Sequence, residues 1–298
     1  MNTGACRILV TGAGGQVGRA LASAAWPSVA KARFLGRGDL DITVEAQVRS
    51  ALDRHRPDLI INAAAFTDVA GAETAAAEAF RVNALGPAVL AQAATERGCR
   101  LIQVSTDFVF SGPGPHPENA TPQPLNIYGA SKLAGEHAVL MACPGSVVVR
   151  TAWVFDEHGP NFITRLLAQA SAATLKVVDD EVGCPTSAET VAEGLVALAH
   201  YMCTQGVPVQ RVFHLVNEGE ASRLELARAL FQSWADRGRP VPELIPVSAR
   251  SFGAGVRRPG DSRLVSGSLG ALTGWTPRTW QDALARTVER IDGGMAGS

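Results

Sequence analysis

An α/β fold, a doubly wound parallel sheet with a smaller α/β lobe, is predicted by three features of the sequence. Short apolar, β-branched runs alternate with stretches of helical periodicity, the pattern of strand–helix–strand crossovers. The runs are apolar at nearly every position, as in Leu59–Ile60–Ile61 and Val147–Val148–Val149, which means strands buried on both faces. The first run, Arg7–Ile8–Leu9–Val10–Thr11, passes straight into a glycine-rich turn ahead of a helix.

In chain order, a helix over 16–25 follows the glycines, and a short strand over 32–35 ends at Gly36. Apolar Val44, Val48, Ala51 and Leu52 recur at helical spacing and predict a helix over 44–55. Pro57 breaks it, and 58–62 is the next strand. An Ala-rich helical stretch runs over 73–98 with a Gly86–Pro87 step near its middle. Strands over 100–105 and 147–151 flank a helix over 130–141, and the proline-dense stretch 112–124 is a loop. Beyond Phe155 the pattern changes. Helices over 161–173 and 186–202, a short strand over 175–178, a last sheet strand over 211–216, and helices over 222–234 and 280–291 follow. Residues 1–155 and 183–217 read as the sheet domain. Residues 156–182 and 218–298 read as a lobe over the strands' carboxyl edge, where open α/β sheets bind ligands.

Composition narrows the function. With 298 residues, 46% of them hydrophobic, the chain can bury a sizeable core. A net charge of −1 argues against nucleic acid as the main partner. No apolar run approaches the ~18 residues of a membrane span, and the N-terminus lacks the pattern of a signal peptide. The five cysteines, Cys6, Cys99, Cys143, Cys184 and Cys203, are odd in number and widely spaced. They suggest neither a disulfide framework nor a zinc site, and a reducing cytoplasm is the simplest compartment.

The glycine turn carries the first function. Gly12, Gly15 and Gly18 form GxxGxxG between a strand and a helix, in the context of a dinucleotide-binding, Rossmann-type fold. There Gly12 permits the turn, Gly15 lets backbone approach a pyrophosphate, and Gly18 lets helix and strand pack closely. The helix start at Gln16 and Val17 offers amides and a partial positive charge to the phosphates. At the end of the second strand stands Arg37, where an NAD-binding chain carries an acid. NADPH is therefore the expected cofactor, with Arg37 on the 2′-phosphate, and NADH stays open. Asp41 and Ile42 fit a position beside the adenine, or a cap for the helix that follows. Small residues after the third strand, Ala64 and Ala65, with Thr67, leave room for a flat cofactor.

Tyr128 and Lys132 form YxxxK. At i,i+4 on the first turn of a helix they share a face, so the ammonium can lower the tyrosine pKa, and the phenol can protonate a carbonyl oxygen as hydride arrives. The lysine can also bond the nicotinamide ribose. Tyr201, the other tyrosine, looks structural. Thr106, at a strand's carboxyl end, can donate to the same carbonyl oxygen; Ser105 could instead fill this role. Asn83 sits mid-helix, where it could hold a backbone position or a water near the lysine.

Together these residues resemble the extended short-chain dehydrogenase/reductases, and within them the dTDP-4-dehydrorhamnose reductases. The points of contact are TGAGGQVG (Thr11–Gly18), LDIT (Leu40–Thr43), RPDLIINAAAFT (Arg56–Thr67), VSTDFVFSG (Val104–Gly112), PLNIYGASKLAGE (Pro124–Glu136), RTAWVF (Arg150–Phe155), GCPTS (Gly183–Ser187) and RRPGDSRL (Arg257–Leu264). The resemblance implies reduction of the C4 keto group of a nucleotide-linked 4-keto-6-deoxy sugar. It makes Thr106, Tyr128 and Lys132 catalytic, with Ser105 in the cofactor site. It sets Asp107 and Trp153 beside the sugar or base, and Asn161 and Arg258 on the nucleotide diphosphate. The sequence departs from the pattern at Phe66, a frequent histidine, and at Ala70, usually Asp. Some members hold magnesium at a dimer contact. No carboxylate cluster here fixes a metal, so magnesium is left open, as is a homodimer. Two other readings share the fold: a non-catalytic NADP-binding subunit, like the regulatory β subunit of methionine adenosyltransferase, and an epimerase with tightly held NAD.

Overall fold

The carboxyl edge of a six-stranded parallel sheet dominates the architecture of the computed structural model, which describes residues 5–251 and 255–296. The outermost residues of the expected domains, 1–4 and 297–298, lie outside it. β1 (Cys6–Thr11), α1 (Gln16–Ser23), β2 (Ala30–Leu35), α2 (Glu45–His55) and β3 (Leu59–Asn62) open the chain, followed by α3 (Val69–Thr74) and α4 (Ala76–Phe80). A π turn (Arg81–Leu85) leads into α5 (Gly86–Glu96), then β4 (Arg100–Thr106), α6 (Ile127–Ala142) and β5 (Ser146–Thr151). The second half holds β6 (Val154–Phe155), α7 (Phe162–Leu167), β7 (Thr174–Val178), β8 (Val182–Gly183), β9 (Thr186–Ser187), α8 (Ala188–Thr204) and β10 (Val212–His214). It closes with β11 (Ala221–Ser222), α9 (Arg223–Ala235), β12 (Glu243–Val247), α10 (Ser268–Thr273) and α11 (Trp280–Ala296).

The sheet order is β10-β5-β4-β3-β1-β2, every pair parallel. Successive side chains of a strand face opposite ways. Ile8 and Val10 enter a core with α1 and α8, while Leu9 joins α2, α5 and α6 on the other face. The order reverses at β1, so the crevice above β1 and β3 is the topological switch point.

A separate core gathers Phe155, Ile163, Leu166 and Val177 with residues of α9 and α11, among them Leu230, Trp234 and Leu284. The C-terminal segment is not confined to that lobe: Leu269 of α10 enters the sheet domain's core and packs there with residues of α8. Six residues between Gly267 and Gly274 carry too short a pattern to be read as a helix from sequence.

Two other expectations change. The single helix over 73–98 is interrupted at Ala75, between α3 and α4, and α4 passes into α5 through the π turn. The step at Gly86–Pro87 does not break the chain there: Leu85 and Gly86 keep right-handed helical dihedrals, and the π turn runs directly into α5. And Cys6 is bonded to Cys203, their Cα atoms 6.0 Å apart, so two cysteines do pair. The start of β1 meets the end of α8 because α8 packs on the sheet face that α1 covers, a proximity that a separation of 197 residues conceals. The bonded pair removes the cysteine-based reason for a reducing compartment. Cys99, Cys143 and Cys184 are free and buried. No helix among the described residues is long and apolar enough to cross a membrane.

His214, at the end of edge strand β10, ties stability to pH. Its ring is buried: Nδ1 donates to the Val265 carbonyl at 3.0 Å, and Nε2 has no partner. Burial, with Arg150 and His116 nearby, pushes the imidazole down to about 3. The unfolded ring takes a proton near its ordinary 6.5 and the folded ring does not, so acid favours unfolding between these values. Asp107, raised to about 6, acts oppositely below that pH. The comparison must therefore be with a variant. In denaturant titrations from pH 7 to 5, His214→Gln is expected to remove a stability loss approaching about 1.4 kcal/mol per pH unit. Equal slopes in both proteins would contradict this.

Candidate active site

The glycine turn is built on steric necessity. Gly12 has φ +72°, and a Cβ there would lie 2.5 Å from the Ala64 nitrogen; a Cβ on Gly18 would lie 2.2 Å from the Gly12 carbonyl oxygen. Gly14 and Gly15 are exposed, and Gly15 caps α1 without a side-chain bond. The first amides of α1, at Gln16 and Val17, thus face outward uncapped, and the Gln16 Oε1 is buried without a partner. Exposed backbone amides at a helix start fit a diphosphate. The loop is tied across the crevice by Arg19, which donates to the Gly14 carbonyl at 2.5 Å and to the His158 carbonyl at 3.2 Å.

Below the crevice a ladder of amides locks the strand ends together. Thr11 Oγ1 donates to Asn62 Oδ1 (2.6 Å), and Asn62 Nδ2 donates to Gln103 Oε1 (2.7 Å). Ala64 and Ala65 are half-buried and Thr67 is exposed at this edge. Asn83, in the π turn, holds both backbone groups of Phe66 (2.8 and 3.0 Å) and donates to Ser131 Oγ at 3.0 Å. A π turn often marks a functional position; here it couples the loop after β3 to the YxxxK helix. Phe66 packs near Tyr128, whereas Ala70 is exposed on α3.

Asn126 caps α6 through the Gly129 amide at 2.8 Å, which places Tyr128 and Lys132 on its first turns. Both are buried. Burial raises the Tyr128 phenol to about 12, with the Asp107 charge adding and a hydrogen bond with Thr106 opposing. This corrects the expectation of a tyrosine tuned downward by its lysine. The Lys132 Nζ donates instead to the Val104 carbonyl at 2.7 Å, and burial brings it down to about 8. A phenol that holds its proton is the state a proton donor needs.

Thr106 Oγ1 bonds Asp107 Oδ1 at 3.0 Å and accepts from the Phe108 amide at 3.2 Å. Asp107 is fully buried with Oδ2 unpartnered, and burial raises it to about 6. Ser105 is placed otherwise: its hydroxyl donates to Glu136 Oε1, and Glu136 pairs with Arg150 at 2.7 Å. Its side chain therefore serves this buried network, and Thr106 is the hydroxyl left for a substrate.

Trp153 stands at φ +43° with Nε1 donating to Ser262 Oγ at 3.2 Å, and a Cβ on Gly183 would collide with its ring at 2.3 Å. Arg223 covers one indole face, its guanidinium carbon 3.3 Å from the ring centroid, and lies 3.5 Å from Glu181. Sequence reasoning missed Arg223. Its signal was a cation at the first residue of a helix, where the dipole disfavours it. Burial lowers Arg223 to about 10, and the charge of exposed Arg258 adds to this. Asn161 is corrected. Its Oδ1 accepts from the Ile163 and Thr164 amides and its Nδ2 donates to the Asp156 and Gly159 carbonyls. The side chain is thus saturated as the cap of α7 and has nothing left for a diphosphate.

Beyond β2, Asp41 Oδ1 accepts from the Thr43 amide and hydroxyl in a local turn ahead of α2, whose N-cap is Val44 with no side-chain bond, so Asp41 does not cap that helix; the Ile42 side chain is buried in the core. Arg37 is exposed, 3.8 Å from Glu78. Among the described residues no group of three or more His, Cys, Asp or Glu side chains could hold a metal ion.

A family model described as RmlD substrate binding domain matches residues 6–292. A relative described as dTDP-4-dehydrorhamnose reductase from Mycobacterium tuberculosis (strain ATCC 25618 / H37Rv) is 43% identical over 292 residues, 95% of this chain and 92% of the relative. Another so described, from Sinorhizobium fredii (strain NBRC 101917 / NGR234), is 36% identical over 287 residues, 95% of this chain and 96% of the relative. The crystal structure of dTDP-4-dehydrorhamnose reductase from Bacillus anthracis str. Ames in complex with NADP is similar with a TM-score of 0.86 at 31% identity, covering 95% of this chain and 99% of that one.

Proposed function

The chain belongs to the family of the RmlD substrate binding domain, and from that membership we propose that it reduces the C4 keto group of dTDP-4-dehydrorhamnose, or of a closely related nucleotide-linked 4-keto-6-deoxy sugar, with NADPH. The single observation that carries the chemistry is the buried Tyr128 phenol beside the Thr106 hydroxyl at the carboxyl edge of β4.

The amides of Gly15, Gln16 and Val17 at the uncapped start of α1, by the switch point, would hold the diphosphate of a dinucleotide, which would supply the hydride. Gly12 and Gly18 let the turn close against β3 and α1, and Ala64, Ala65 and Thr67 line the next strand end. Tyr128 gives its proton to the C4 oxygen as negative charge develops there. Thr106 donates a second hydrogen bond to that oxygen, turning from Asp107 to do so, a contribution of the oxyanion-hole kind. Lys132 moves from the Val104 carbonyl toward the ribose and the phenolate left behind, and its cationic form offsets that charge. Asp107, Trp153 and Arg258 line the sugar nucleotide's side, where Arg223 adds a cation. A guanidinium suits a diphosphate because it pairs with two oxygens at once.

The assay is oxidation of NADPH, followed at the nicotinamide absorbance, in the presence of dTDP-4-dehydrorhamnose. Turnover is expected with NADPH, and more slowly with NADH. A protein that binds NADPH yet turns over neither cofactor would behave as a non-catalytic NADP-binding subunit and overturn the reductase reading.

A further inference from the structure

We infer that Arg81, together with Arg37, seats the 2′-phosphate of the cofactor, and that Glu78 holds this seat when the phosphate is absent. The inference rests on the cofactor reading above and names the residues that select between NADPH and NADH.

Two guanidiniums from distant elements converge on one carboxylate oxygen. Arg37 follows β2, and its Nη2 lies 3.8 Å from Glu78 Oε1. Arg81 comes from the π turn, and its Nη2 lies 2.8 Å from that same oxygen, with Nε 2.7 Å from Oε2. Arg81 is held from its other side: Nη1 donates to Thr43 Oγ1 and lies 3.7 Å from Asp41 Oδ2. Asp41 is itself fixed by the Thr43 amide and hydroxyl, at 2.9 and 2.7 Å. The fork of Arg81 is therefore pre-set, while Glu78, 36% exposed, is free to turn into water.

The cluster stands just beyond β2, beside the switch point, where the adenosine ribose of a dinucleotide lies in this strand order. A carboxylate bridging two guanidiniums there occupies the place an anion would take. A phosphate offers more oxygens and more charge than a carboxylate, and planar guanidiniums pair with it bidentately. NADPH therefore displaces Glu78, whose charge would otherwise oppose the phosphate. With NADH, Glu78 stays and accepts from the 2′-hydroxyl. Sequence alone pointed to Arg37, because Arg81 is far along the chain and reaches this place through the π turn.

The test measures dissociation constants of NADPH and NADH by titration calorimetry on the full chain. Arg81→Met is expected to weaken NADPH by about 10- to 100-fold, the scale of a lost hydrogen bond between charged groups, and to change NADH far less. Arg81→Lys, which keeps the charge and loses the fork, should fall between. Glu78→Gln should tighten NADPH and weaken NADH, raising the preference for NADPH. A simple surface ion pair would move both cofactors alike, and that result for Arg81→Met in a wild-type background that binds NADPH overturns this inference alone. A wild type that binds neither cofactor overturns the cofactor reading and this inference with it.

Discussion

Tyr128→Phe is expected to lower kcat by about 10²- to 10⁴-fold, the usual contribution of a positioned acid, and to leave NADPH binding intact. The substitution removes only the O–H. The ring keeps its edge-on contact with Phe108 at 5.6 Å between centroids and its place among Ala72, Ala79 and Phe66. The other tyrosine, Tyr201, packs on the sheet core from α8 and cannot replace it. Because burial holds the phenol up to about 12, the donor is protonated throughout the neutral range, and the activity should not fall with rising pH through 7 to 9 on its account. Steady-state kinetics with a cofactor-binding titration checks both halves. A loss of kcat below tenfold would mean that Tyr128 is not the acid.

Arg150→Met is expected to destabilise the fold by about 3–5 kcal/mol, the cost of leaving a buried charge without its partner. Arg150 and Glu136 are 5% and 1% exposed in their side chains and meet through Nε and Nη2 at 2.7 to 3.2 Å. The guanidinium also lies 4.9 Å over the Phe110 ring, while Nη1 has no partner. Replacing both residues, as in Glu136→Leu with Arg150→Met, removes the stranded carboxylate and should recover much of the loss. Urea denaturation of the single and double variants decides it. If the double variant is as unstable as the single one, the cost lies in packing around Phe110 and not in the unpaired Glu136.

What the sequence made legible was local. Gly12 and Gly18 stand where no side chain fits, and Tyr128 and Lys132 are one helical turn apart, so near-neighbour spacing carries both. The strands show because each is apolar on both faces. What stayed hidden was long-range. Ser105 is one residue from Thr106, and only Glu136, 31 residues on, decides that its hydroxyl serves the core. Asn161 looked free for a phosphate until its cap was seen to use all of its side chain. The π turn within the stretch over 73–98 is where Asn83 bonds the Phe66 backbone 17 residues earlier, and the interruption itself lies at Ala75, between α3 and α4. Cys6 and Cys203 lie at opposite ends of the sheet domain in sequence. Arg223 could have been suspected, since a cation at a helix start opposes the dipole unless something else holds it; Trp153 and Glu181 hold it here.

The central claim is hydride delivery to C4 of a nucleotide-linked keto sugar, with Tyr128 completing the alcohol. Its most direct test is a turnover with NADPH carrying deuterium at the transferred position of the nicotinamide, followed by mass and NMR analysis of the sugar nucleotide. The account predicts one deuterium in the product, bonded to C4 of the hexose, with the C4 oxygen as a hydroxyl. Product formed without the label at C4, or bound NADPH with no deuterium transferred to the sugar, would contradict it.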